Sequence, residues 1–174
     1  MPAPRVARLV SGGQTGADRA CLDLALARRL EYGGWCPRGG WAEDLTEPPG
    51  LLARYPLLRE SSSSDPDVRT RLNVRDSHAT LVVRPDAVRS PGTDLATSTA
   101  LELGRPHLTT DGSDAEVVAQ WLCSIGAALT LNVAGPRESE HAGSYRLTWE
   151  LLDRLLGPAP SEGPGAVGSE CPDP

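Results

Sequence analysis

The chain has no lysine: all 17 basic residues are arginine, set against 23 acidic ones. That absence excludes Schiff-base chemistry on a lysine amine and removes the lysine a P-loop requires. An all-arginine complement suits a GC-rich genome, and single arginines still serve as bidentate phosphate clamps because of their planar fork. Positive charge in excess is also missing. A net charge of −6 speaks against a nucleic-acid partner, whose binding needs clustered basic residues, and leaves small anions open. Long apolar runs are absent too. Segments such as Ala127 to Leu131 fall far short of the roughly 20 residues of a membrane span. Met1-Pro2-Ala3-Pro4-Arg5 has no secretory apolar stretch, so a cytoplasmic location away from membranes is expected. The four cysteines, at 21, 36, 123 and 171, show neither C-x-x-C nor metal-ligand spacing. Reduced, mostly buried thiols are expected, with no disulfide framework and no metal site.

What is present begins with Leu9-Val10-Ser11-Gly12-Gly13-Gln14-Thr15-Gly16-Ala17-Asp18-Arg19-Ala20. An apolar run stops at paired glycines and turns at once into helix-compatible sequence. Such a strand-to-helix turn cradles phosphate, because glycine lets the backbone approach closely and a helix start aims amide N–H groups and a positive dipole end at an anion. Aligned to G-x-G-x-x-G, Ser11 takes the first glycine position, Gly13 the second and Gly16 the third.

Apolar runs alternate with helix-period segments along most of the chain. This pattern predicts one α/β domain over residues 1–156, doubly wound, with helices on both faces of a mainly parallel sheet. Strands are expected at Arg5 to Val10, Tyr55 to Arg59, Ala79 to Arg84, His107 to Thr109 and Leu129 to Ala134. Helices are expected at Ala17 to Leu30, with an apolar stripe through Ala20, Leu24 and Ala27; at Val68 to Ser77; at Leu95 to Leu103, with Gly104 as C-cap; from a Ser113 cap to Ile125; and at Tyr145 to Leu156. Tyr32 to Gly50 is too broken by proline for a long element, and a loop of that length is usually functional. Residues 157–174 are rich in Gly, Pro and Ser without apolar periodicity, which predicts a disordered tail.

Ligands of open parallel sheets bind outside the carboxyl ends of strands where strand order reverses. Three predicted strand exits carry suitable turns: Gly12-Gly13-Gln14-Thr15, then Ser90-Pro91-Gly92-Thr93, then Asn132 to Ser139 with Gly135, Pro136 and Arg137. A polar helix, Arg69 to Asp76, leads into the Ala79 strand. Catalytic groupings are thin. His78, His107 and His141 are scattered, none beside a serine or cysteine in a nucleophile arrangement, and Asp18 is explained by helix-start electrostatics.

Ser11-Gly-Gly-Gln-Thr-Gly-Ala-Asp-Arg-Ala, Gly33-Gly-Trp-Cys-Pro-Arg-Gly, Tyr55-Pro-Leu, Arg69-Thr, Asn73-Val-Arg-Asp-Ser-His-Ala-Thr-Leu, Gly92-Thr and Leu131-Asn-Val-Ala-Gly-Pro-Arg-Glu-Ser together resemble the "putative molybdenum carrier" family over roughly residues 6 to 156. The resemblance implies a Rossmann-like fold of the wider group that holds the lysine-decarboxylase-like phosphoribohydrolases. It further implies a homo-oligomer that binds and protects molybdenum cofactor, a phosphorylated pterin, or its molybdate or tungstate oxo groups, for a recipient molybdoenzyme. The related hydrolases carry P-G-G-x-G-T-x-x-E with a catalytic glutamate; here the corresponding stretch is Ser90-Pro91-Gly92-Thr93-Asp94-Leu95-Ala96. Binding without hydrolysis is therefore expected, with no catalytic residue. The expected ligand residues are Gly12, Gly13, Gln14, Thr15, Asn73, Asp76, Ser90, Gly92, Thr93, Asn132, Gly135 and Arg137. The alternative is a nucleotide-binding enzyme or sensor of the same fold, such as a nucleoside-monophosphate phosphoribohydrolase.

Overall fold

The computed structural model describes residues 6–85 and 87–157; the tail expected over 157–174 lies outside them after Gly157. In chain order the elements are β1 (Val6–Val10), α1 (Ala17–Ala27), β2 (Glu31–Gly33), β3 (Trp35–Cys36), α2 (Leu51–Arg54), β4 (Arg59–Glu60) and α3 (Pro66–Arg75). β5 (Ala79–Val83), α4 (Pro91–Glu102), β6 (His107–Thr110), α5 (Ala115–Ile125), β7 (Leu129–Ala134) and α6 (Ser144–Leu156) complete the fold. Five strands form one parallel sheet in the order β2-β1-β7-β5-β6, and β3 and β4 pair in a separate parallel ribbon. This is the Rossmann-like α/β arrangement that the alternating pattern predicts.

Side chains alternate across a strand, and here the two faces differ in chemistry. Leu9, Leu81, Val83, Leu129, Leu131 and Val133 pack with Leu22, Leu24, Val118, Leu122, Leu151 and Leu152 in the main core, under α1, α5 and α6. The opposite face meets α3 and α4 through a much smaller apolar cluster of Val74, Ala96 and Ala100, with Ala134 against it. Polar side chains sit among them on this face. Asn132 Nδ2 donates to Thr80 Oγ1 at 3.3 Å, both buried. The polar face is the one that carries the cleft described below.

Several expected boundaries shift for local reasons. α1 stops at Ala27 because Arg29 takes φ 54 and Leu30 N–H reaches back to Ala25 O at 2.9 Å. Its buried stripe is Ala20, Cys21, Leu24 and Ala25, with Ala27 exposed. The strand expected over Tyr55 to Arg59 is reduced to Arg59–Glu60. Tyr55 instead ends α2, fully buried, with its hydroxyl on Asp23. Asp114, not Ser113, caps α5, accepting from the amides of Glu116 and Val117 at 3.1 and 3.0 Å. α4 begins at Pro91, four residues before the expected start, since proline at a first turn sacrifices no helical hydrogen bond. Gly104 lies just past the α4 cap, Leu103, with φ +61, as helix-ending glycines commonly do.

Candidate functional site

Chain leaving β1 passes to β2 on one side of the sheet, and chain leaving β5 passes to β6 on the other, with β7 between. Ligands of parallel sheets collect at such a switch point. A cleft of about 210 Å³ opens there, between α3 and the first turn of α4, beyond the ends of β1 and β7. Of the expected ligand residues, it is lined by Gly12, Gln14, Asn73, Ser90, Gly92, Thr93, Asn132, Gly135 and Arg137. Gly13, Thr15 and Asp76 are not in its wall.

Each of these three has a different local role. Gly13 sits at φ +76 with a side chain's space taken by Leu51, so it serves the turn and the core behind it. Thr15 binds loops together: its hydroxyl donates to Glu43 and accepts from Glu138 N–H at 3.2 Å. Ser139 Oγ donates to the same Glu43 carboxylate at 2.6 Å. Asp76 accepts from Trp35 Nε1 at 2.8 Å and from Arg75 at 2.7 Å, and the Arg75 bond is the main cause holding its carboxyl below the usual range. It borders a separate small hollow with Trp35 and Arg59.

The first glycine turn is thus a joint. Gln14 Oε1 accepts from Thr15 N–H and Glu43 N–H at 3.1 and 2.9 Å. Arg19, buried, donates to Gly13 O at 3.0 Å and forks onto Asp44 at 2.9 and 2.8 Å. At the start of α1, Ala17 N–H donates to Pro136 O at 3.3 Å. Gly16 is glycine because a Cβ would strike that same Pro136 carbonyl.

The α4 turn differs. Ser90 makes no capping bond from its hydroxyl to the helix's own amides. Its hydroxyl lies 2.7 Å from Thr93 Oγ1 and donates to Glu140 Oε2 at 2.8 Å. Arg137 N–H donates to the same Glu140 oxygen at 3.0 Å. A carboxylate oxygen from the β7–α6 loop therefore sits where hydroxyl and amide donors converge. Gly92 is open, with nothing within 4 Å of the position a Cβ would take.

Four charged residues of the cleft wall, Asp18, Asp67, Arg69 and Glu140, were not among the expected ligand residues, and two of them form a buried pair. Arg69 Nη1 donates to Asp18 Oδ2 at 2.8 Å, with the side chains only 12% and 6% exposed. Its Nε is buried without a hydrogen-bond partner among the described residues. The Arg69 side chain crosses Gly12 so closely that a Cβ there would fall on the guanidinium. Glycine at 12 thus makes room for an arginine from 57 positions along the chain. Neither helical periodicity nor spacing carries that signal.

Ala96 is fully buried and lines the cleft, so the position at which the resemblance raised the question of a catalytic glutamate presents a methyl group. Asp94 points elsewhere and pairs with Arg84, and Glu102 pairs with Arg71 at 3.3 Å toward the far end of α4. His78 Nδ1 accepts from Thr130 N–H at 2.8 Å, and His141 Nδ1 lies 3.2 Å from Ser144 Oγ. Among the described residues no group of three or more His, Cys, Asp or Glu side chains gathers to hold a metal ion. No described helix is long and apolar enough to cross a membrane. Cys21 and Cys36 are buried, and burial raises both thiols, Cys36 to about 11. Cys123 is exposed.

Sheet order, switch-point cleft and donor-lined α4 turn define a Rossmann-like α/β protein with its cleft at the strand ends. The chain belongs to the circularly permutated YpsA SLOG family, whose model matches residues 9–156. It is similar to a "putative molybdenum carrier protein" from Syntrophus aciditrophicus SB, known from a crystal structure at 1.45 Å resolution. The two are 34% identical, the match covers 89% of this chain and 98% of that one, and the TM-score is 0.79. No curated protein matches the chain.

Proposed function

We propose that this protein is a carrier, holding a small ligand with a phosphate or oxometallate end in the switch-point cleft without turning it over. The name of its Syntrophus relative points to molybdenum, and the ligand proposed is a phosphorylated pterin bearing that metal or tungsten. The observation that carries the reading is the pairing of a donor-rich α4 turn with Ala96 in the same wall. The amides of Gly92 and Thr93, the hydroxyls of Ser90 and Thr93, and Arg137 supply hydrogen bonds and positive potential to an anion at a helix start. Arg69, anchored by Asp18, adds a fixed charge from the α3 side. The metal is cargo, reaching the protein as part of the ligand.

A hydrolase needs a positioned acid or base, which typically contributes 10²–10⁴-fold. The methyl of Ala96 offers none, and Asp18 and Glu140 are already engaged with Arg69 and with Ser90 and Arg137 N–H. Native mass spectrometry of freshly purified protein, with elemental analysis for molybdenum and tungsten, tests the carrier reading. In parallel, adenosine monophosphate is incubated with the protein and free base is followed by chromatography. Retained pterin or metal with no base release is the expected result. Release at rates on the order of 1 per second or more would overturn it in favour of a phosphoribohydrolase.

A further inference from the structure

Next to the cleft lies a second, differently built space. A recess of about 360 Å³ is lined by Trp41, Pro48 and Pro66, with Arg38 and Gly39 also in its wall. Pro66, the first residue of α3, also lines the cleft, so the two spaces adjoin across the α3 N-terminus. The cleft is mainly polar and, at about 210 Å³, falls below the roughly 300–1,000 Å³ of sites that enclose a whole small ligand. It suits the anionic end of a molecule and leaves the remainder to extend outward.

The two indoles of the irregular passage have separate assignments. Trp35 is committed: its Nε1 donates to Asp76 at 2.8 Å, and the Arg59 guanidinium lies 5.7 Å from its ring centre. Trp41 is half-buried, and no hydrogen bond among the described residues engages its indole N–H. The loop that presents it is held firmly. Gly40 N–H donates to Pro37 O at 2.9 Å, Ala42 and Leu45 exchange backbone bonds at 3.1 and 3.0 Å, and Asp44 is clamped by Arg19. Aromatic and proline faces on a rigid support are the surfaces on which flat rings stack, and a lining arginine can add cation–π attraction.

We infer that the Trp41 recess is the ring subsite of the ligand: a planar nitrogen heterocycle, pterin or purine, stacks on Trp41 while its phosphate end lies in the cleft past Pro66. The inference rests on the carrier reading for its anion end, and the test separates the two. Inorganic phosphate, adenosine, adenosine monophosphate and a pterin monophosphate are titrated calorimetrically, and by tryptophan emission, into wild-type protein, Trp41→Phe and Trp41→Ala. Melting temperatures of all three confirm folding, as expected for a residue outside the main core.

The ring-bearing compounds should quench wild-type emission and not that of Trp41→Phe, which still stacks and keeps affinity within a few-fold. Trp41→Ala should weaken ring-bearing compounds on the order of ten-fold or more, with inorganic phosphate unaffected. Ring-bearing ligands that bind Trp41→Ala as they bind wild type, or that leave wild-type emission unchanged, overturn the subsite and leave the anion cleft standing. Trp41-dependent binding of adenosine with no binding of phosphate supports the subsite and overturns the anion cleft.

Discussion

Gly12 and Arg69 are two halves of one device. The glycine has no side chain because the guanidinium occupies that space, and the guanidinium stays there because Asp18 holds it. Breaking a buried pair on one side leaves an uncompensated charge. Arg69→Ala should therefore lower unfolding free energy by about 3 kcal/mol. Adding Asp18→Asn should restore most of that stability while anion binding stays weak. Urea melts and phosphate titrations of the single and double variants check this; full recovery of binding in the double variant would make Arg69 purely structural. Glu140 predicts the opposite sign. Its carboxylate accepts the bonds of Ser90 and Arg137 N–H that a ligand oxygen would need. Glu140→Gln should then tighten inorganic phosphate by roughly five-fold, about 1 kcal/mol, in the same calorimetric assay.

Among the elements, α4 and the α1–α6 pair separate function from stability. Thr93→Ala removes one buried hydroxyl partner of Ser90 at the start of α4, and should cost ligand binding about 1 kcal/mol with little change in melting. α1 and α6 bury Leu24, Leu151 and Leu152 completely against the sheet. Leu152→Ala should cost roughly 3 kcal/mol in urea denaturation and leave phosphate affinity unchanged. The α1, α5 and α6 periodicities and the Val/Leu-rich β5 and β7 were legible because each repeats a simple burial pattern over five or more residues. β2, β3 and α2 were not, and β4 was met only at Arg59, since such short elements show no period and are held by neighbours: Trp35 pairs with Arg59, and Leu51 and Tyr55 are pinned in the main core.

For the molecule as a whole, the loops around the site are joined by acid–base contacts, so acid should loosen them. The Arg19 hydrogen bonds, chief among the causes, hold the Asp44 carboxyl below its ordinary value, and Arg75 does the same for Asp76. A depressed folded value means the stabilisation is fully present above about pH 4, the ordinary carboxylate range, and is lost as pH falls through the lowered values. Asp44 is 45% exposed, which keeps its share modest and salt-sensitive. Thermal melts from pH 7 down to 2.5 should show stability declining below about pH 4, with a shallower decline in Asp44→Asn; identical profiles would assign the acid response to other groups.

The sequence by itself determined the α/β alternation, the central strands and the three glycine-bearing turns, because burial periodicity and turn chemistry are local properties of the chain. It also determined that position 96 carries alanine and not an acid, since that is a matter of residue type alone. All three turns reach the cleft wall, and which of them keeps its donors open there was decided only by the tertiary structure. The α1 turn is closed by Pro136, Glu43 and Glu138, and Arg69 reaches Asp18 from the polar helix that leads into the Ala79 strand. Those contacts join residues 28 to 123 positions apart, and such pairings exist only once the sheet has set β7 beside β1 and laid α3 over its polar face.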